Sequence, residues 1–135
     1  MIRYTTEKVF TQKQVEKLFL SVGWVSGKFP GQLFESLMNS SYVLTAWDKE
    51  KLVGLIRGID DGRMTAFLHY VLVSPCYQHQ GIASHLVEQA KMHYKDFFYI
   101  NIMPEESKNV PFYQFHAFEV MPDGVAMQIC NKDFK

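Results

Sequence analysis

The stretch "VLVSPCYQHQGIASHLVEQA", residues 71–90, decides how this chain is read. An apolar run ends at Pro75. A polar loop follows, with Gly81 inside it. Ile82, Leu86, Val87, Ala90 and Tyr94 then recur at helical spacing, so the stretch predicts strand, tight loop and amphipathic helix. A strand that turns directly into a helix exposes unpaired N–H groups with the positive end of the helix dipole behind them. That arrangement suits phosphate. Gly81 has no Cβ to hold a ligand away, and Ala83 is nearly as small. Gln78 and Gln80 add side-chain donors. The bland alternative is an ordinary strand-to-helix turn, and one glycine does not decide between them.

Outward from there, the chain alternates strands and helices. "MIRYTTE" suits a first strand. In "FTQKQVEKLFLSVGW", Thr11 and Gln14 have capping-box spacing, and Phe10 and Val15 fit the staple around it. Val15, Leu18, Phe19 and Val22 form one helical face, and Gly23 is a stop. "FPGQLFESLMNSS" predicts a second helix with Pro30 in its first turn. "YVLTAWDKEKLVGLIRGI" reads as two strands around a turn at residues 48–51. "TAFLHYVLV" and "FFYINIMP" are apolar strands on either side of the quoted helix, the second apolar on both faces as a parallel strand would be. A short helix fits "NVPFYQFHAF", and "VAMQICN" predicts a closing strand. The expected fold is α/β: one domain over residues 1–135, a mixed, mostly antiparallel twisted sheet with a central parallel β-α-β crossover and helices on both faces.

Composition narrows the function. The chain has 135 residues, 47% hydrophobic, with 14 basic and 14 acidic side chains. This balance argues against a dedicated nucleic-acid binder, which carries a basic excess. No apolar run approaches the roughly 20 residues that span a bilayer, and no leader pattern opens the chain. Cys76 and Cys130 form no C-x-x-C, so reduced thiols in a cytoplasmic protein are the expectation. No His, Cys, Asp or Glu set has metal-ligand spacing, so no metal is expected. No G-x-G-x-x-G occurs, and "GWVSGKF" is too short for a P-loop.

The loop and its flanks resemble the acetyl-CoA-binding signature of the GNAT superfamily of N-acetyltransferases. That pattern is an apolar strand ending in Val-x-Pro, a Tyr, then Q/R-x-x-G-x-G/A and an amphipathic helix. Here it is Val73, Pro75 and Tyr77, then Gln78, His79, Gln80, Gly81, Ile82 and Ala83. Downstream, Asn109, Phe112, Tyr113 and Phe118 resemble a second family segment. It departs in a spacing one residue tighter and in Ala117, where glycine is usual. The resemblance runs from about Tyr42 to the C-terminus.

The resemblance implies an acetyl-CoA-dependent N-acetyltransferase acting on a primary amine by direct attack; the neutral charge and short length favour a small-molecule amine as acceptor, with a protein lysine as the other choice. Acetyl-CoA would lie between splayed strands. Its pantetheine would pair with backbone around Leu72 and Val73, whose N–H groups polarise the thioester. Its pyrophosphate would sit on Gln78, His79, Gln80, Gly81, Ile82, Ala83 and Ser84, with Asn109 and Phe112 completing the cofactor contacts. Tyr113 matches the family's acid at the departing sulfur. An alkyl ammonium, pKa about 10.4, must lose a proton before attack. Strand alternation puts Phe67, His69, Val71 and Val73 on one face. His69, with an ordinary pKa near 6.5, is then the candidate base, and a water chain to Asp60 or Asp61 is the substitute. A catalytically weak acyl-CoA-binding module on the same fold is the alternative. A homodimer is expected from the resemblance, and neither a nucleic-acid nor a membrane partner.

Overall fold

The computed structural model describes all residues, 1–135. They form two compact units, Met1–Ile102 and Met103–Lys135. The first unit holds a five-stranded sheet in sequence order: β1 (Ile2–Thr5), β2 (Tyr42–Asp48), β3 (Lys51–Asp60), β4 (Thr65–Val73) and β5 (Tyr99–Ile102). Adjacent strands pair antiparallel through β4, and β4 pairs with β5 in parallel. The parallel pair is joined by α3 (Ile82–His93), the crossover that such a pair requires.

α1 (Gln12–Ser21) begins at Thr11 with the expected capping box. The Gln14 N–H donates to Thr11 Oγ1, and the Thr11 N–H donates to Gln14 Oε1. A 3-10 turn (Val25–Lys28) leads to α2 (Pro30–Met38), with Pro30 in the first turn, where a missing N–H costs nothing. Val15, Leu18, Phe19, Leu33 and Leu37 meet Val43, Trp47, Leu55 and Leu72 in one core cluster. α3 covers the other face of the sheet. A Cβ on Gly58 would overlap the Tyr94 ring at the end of α3, so the ring lies over β3 only because that position is glycine, whereas one on Gly54 would crowd the Leu72 carbonyl of β4 at 3.0 Å. Tyr94 is fully buried there, and its hydroxyl donates to Asp60 Oδ2.

The second unit contains a 3-10 turn (Ser107–Asn109) and α4 (Val110–Phe115). The predicted closing strand "VAMQICN" does not form, and no helix or strand follows Phe115. Val125, Met127 and Ile129 stand exposed, and no strand bonds to this segment, so its apolar alternation has no ladder to join. No helix is long and apolar enough to cross a membrane.

Candidate active site

β4 has nine residues and β5, its parallel neighbour, only four. β5 pairs with β4 only from Thr65 to Leu68, and beyond Leu68 no strand bonds to that edge of β4. On the other edge β3 follows β4 to its end, with Leu55 opposite Leu72 and Gly54 opposite Val73. The Ser74 N–H donates to the Val53 carbonyl at 2.8 Å. Alternation along the strand therefore turns the Leu72 N–H toward β3 and the Val73 N–H toward the open edge. Of the two expected thioester-polarising groups, Val73 is the one on the open side.

The strand is also bulged. Leu55 and Arg57 of β3 stand opposite Leu72 and His69, so β4 carries one extra residue between them. Tyr70 takes it up in the left-handed region, φ +58. An extra residue resets which side chains share a face. His69 and Leu72 now sit on the α1–α2 side, whereas Val73 packs toward Gly54 and Ile82 beneath α3. The expected alignment of His69 with Val73 is thus corrected, because strict alternation ends at the bulge.

The loop after β4 matches its prediction in shape. A 3-10 turn (Pro75–Tyr77) gives way to residues 78–81, with His79 at φ +63 and Gly81 at φ +83. No side chain caps α3 at Gly81, which leaves the leading N–H groups of Ile82 and Ala83 facing out of the helix start. Space for a Cβ at Gly81 is open, so the glycine is required by its φ and not by crowding. The glutamine side chains do something other than expected. Gln78 Nε2 donates to the Val73 carbonyl at 3.0 Å, and Gln80 Nε2 to the Cys76 carbonyl at 3.5 Å. Both brace the loop on its own backbone. The Tyr77 hydroxyl adds a tether to Asp48 Oδ2 at 2.5 Å.

Around His69 lies a polar cluster. Arg57 Nη2 donates to His69 Nδ1 at 2.5 Å, and the guanidinium lies 4.3 Å from the Tyr70 ring centre. His69 and Tyr70 stack at 4.1 Å, and the Tyr70 hydroxyl shares a hydrogen bond of 2.8 Å with Ser26 Oγ. Phe19 and Trp24 close on Tyr70 from the helical side. Burial, and then the Arg57 charge, push the His69 pKa down to about 4. A neutral imidazole that accepts at Nδ1 carries its hydrogen on Nε2. Proton abstraction by His69 therefore requires the Arg57 contact to open first. The substitute bases are engaged as well. Asp60 binds Tyr94 and the Gly62 N–H, and Asp61 Oδ1 accepts from the N–H groups of Arg63, Met64 and Thr65, which hold its pKa down.

Arg57 and Tyr70 were not singled out in the sequence. Arg57 is 8% exposed, its burial lowers its pKa, and its Nε has no hydrogen-bond partner. A buried donor left unpaired costs about 1–3 kcal/mol. The available signal was an arginine at an inward position of the apolar run "LVGLIRGI".

In the second unit, Tyr113 is buried, with Phe112 and Phe118 edge-on to its ring. Burial, then Glu105, raise its pKa to about 12. The turn after α4 keeps its left-handed residue at Ala117, φ +71, and the Phe118 N–H returns to the Tyr113 carbonyl at 3.0 Å. Asn109 precedes α4 without a side-chain cap, and Phe112 is half-buried. No group of three or more His, Cys, Asp or Glu could hold a metal ion.

The chain as a whole is similar to known proteins. The model of the acetyltransferase (GNAT) family matches residues 9–118. An uncharacterized N-acetyltransferase, ycf52, of Gracilaria tenuistipitata var. liui is 30% identical over 118 residues, covering 82% of this chain and 63% of that one. The chain spans less than two thirds of the length of the curated relatives it matches. A GNAT family acetyltransferase from Streptococcus pneumoniae is 31% identical, with a TM-score of 0.83 over 98% of this chain and 100% of its own. An aminoglycoside 6'-N-acetyltransferase complexed with coenzyme A shares the fold at 20% identity and a TM-score of 0.63, over 74% of this chain and 60% of its own. With the open β4 edge, the Gly81-led helix and these matches together, the chain belongs to the acetyltransferase (GNAT) family.

Proposed function

We propose that this chain is one acetyltransferase domain that moves the acetyl group of acetyl-CoA to a primary amine of a small molecule. The observation that carries this is the open β4 edge, continuous with an uncapped helix start at Gly81. Pantetheine amides would pair along the edge, and the pyrophosphate would rest on the N–H groups of residues 78–84. The Val73 N–H would donate to the thioester carbonyl as negative charge develops on its oxygen. The neutral amine attacks the carbonyl carbon, and the tetrahedral adduct expels the CoA thiolate.

Tyr113 takes the role the family pattern gives it, as donor to the departing sulfur. With a pKa of about 12 it keeps its proton at neutral pH. A thiol has a pKa near 8.5, so Tyr113 stabilises the thiolate through a hydrogen bond, and the thiol proton comes ultimately from water. His69 remains the candidate base on the condition that acceptor binding opens its contact with Arg57.

Calorimetric titration with acetyl-CoA and desulfo-CoA tests the reading first. Micromolar binding that Gly81→Glu abolishes supports it; no binding of either compound refutes it. Tyr113→Phe should then lower kcat by about a hundredfold or more, with thermal unfolding unchanged. The occupied Nδ1 of His69 favours a second reading, an acyl-CoA-binding module with weak transfer. CoA binding without turnover of any amine would select it.

A further inference from the structure

Arg57 is a cation in the wrong place for a structural residue. It sits in the middle of β3, 8% exposed, with a neutral histidine, a serine hydroxyl at 3.5 Å and the face of Tyr70 as its neighbours. No carboxylate pairs with it, and its Nε hydrogen is unused. A buried charge is ordinarily matched by an opposite one. The strand beside it is not sealed: Phe67, His69, Tyr70 and Val71 are all only half-buried. Trp24 and Ser26, from the turn between α1 and α2, meet Tyr70 on the same side.

We propose that Arg57 anchors a carboxylate carried by the acceptor, so that the amines acetylated are amino-acid-like, with an aromatic or apolar body against Trp24 and Tyr70. This rests on the acetyltransferase reading and adds the substrate class to it. A planar guanidinium with Nε–H and a further N–H to give matches the two oxygens of a carboxylate. The cluster holds a single cation, which balances a monoanion and leaves a phosphate dianion half neutralised. In the free protein the guanidinium is held by His69 Nδ1. A carboxylate that draws Arg57 toward itself also releases that nitrogen, so recognition of the acid group and availability of the base are one event.

The test is calorimetric titration of the intact protein with a panel of amino acids, each against its decarboxylated amine, and with phosphoethanolamine against ethanolamine. Thiol release from acetyl-CoA is followed in parallel on the same panel. The proposal expects at least one amino acid to bind more tightly than its amine by about tenfold or more. Arg57→Gln should bring that ratio toward one, and Arg57→Lys should keep part of it, with both variants checked for a native melting transition. A panel in which no amino acid exceeds its amine overturns the proposal. So does a preference confined to phosphoethanolamine, or a preference that survives in a folded Arg57→Gln protein. Arg57-dependent binding without acetylation would leave the anchor standing and refute the transferase reading. Acetylation with no carboxylate preference would do the reverse.

Discussion

His69 is the residue whose surroundings matter most to its chemistry. Its pKa lies at about 4, below the ordinary 6.5, so the folded state favours the neutral ring. The His69 contribution to stability is therefore intact above about pH 6.5 and declines as the pH falls toward 4. His69→Gln, which cannot acquire the charge, should flatten that part of the profile, read as urea midpoints at pH 7 and pH 4.5. An unchanged acid decline in the variant would contradict a His69 pKa lowered by burial and then by Arg57. Little of this was legible in the sequence. His69 could be named from its strand, but its neighbour lies twelve residues away on β3, and only the register brings them together. Tyr113 and the loop residues could be singled out because their spacing repeats a known pattern. The bonds that Gln78 and Gln80 make to the loop backbone were not legible, since a side-chain amide can turn either outward or back to its own backbone.

Elements were easier to read than residues. The capping box at Thr11 declared itself by spacing alone, and Thr11→Ala should cost about 1 kcal/mol in a denaturant titration. β2, β3, α1 and α3 lie close to where periodicity puts them, since each buries one face and alternation or helical spacing records it. Two features escaped. The β4 bulge has no glycine to announce it, because Tyr70 itself adopts the left-handed conformation, held by stacking on His69 and the bond to Ser26. The closing strand was predicted from alternation, yet a strand exists only with a partner. The turn at Ala117 gives a further check at this scale. An alanine at φ +71 is strained, and the residue is exposed, so no packing is lost on shortening it. Ala117→Gly should raise stability by about 0.5–1 kcal/mol, seen as a higher melting temperature.

At the scale of the whole molecule, the antiparallel hairpins and the parallel crossover followed from the sequence of element types, because such crossovers admit few topologies. The division at Ile102 did not, since no linker composition marks it. Met121, Val125, Met127 and Ile129 are each more than 60% exposed, so truncation after Val120 should shift stability by no more than about 0.5 kcal/mol. A larger loss would mean these side chains are covered in solution. The half-paired edge of β4 reaches further than catalysis. A row of backbone groups without a neighbouring strand is a template for the strand of another molecule. A cofactor lying along it would act as a removable sixth strand. It would raise the melting temperature in proportion to the logarithm of its concentration, and it would withhold the edge from self-association. For a cell, the acyl-CoA pool would then set how much of this protein stays dispersed, quite apart from how fast it turns over.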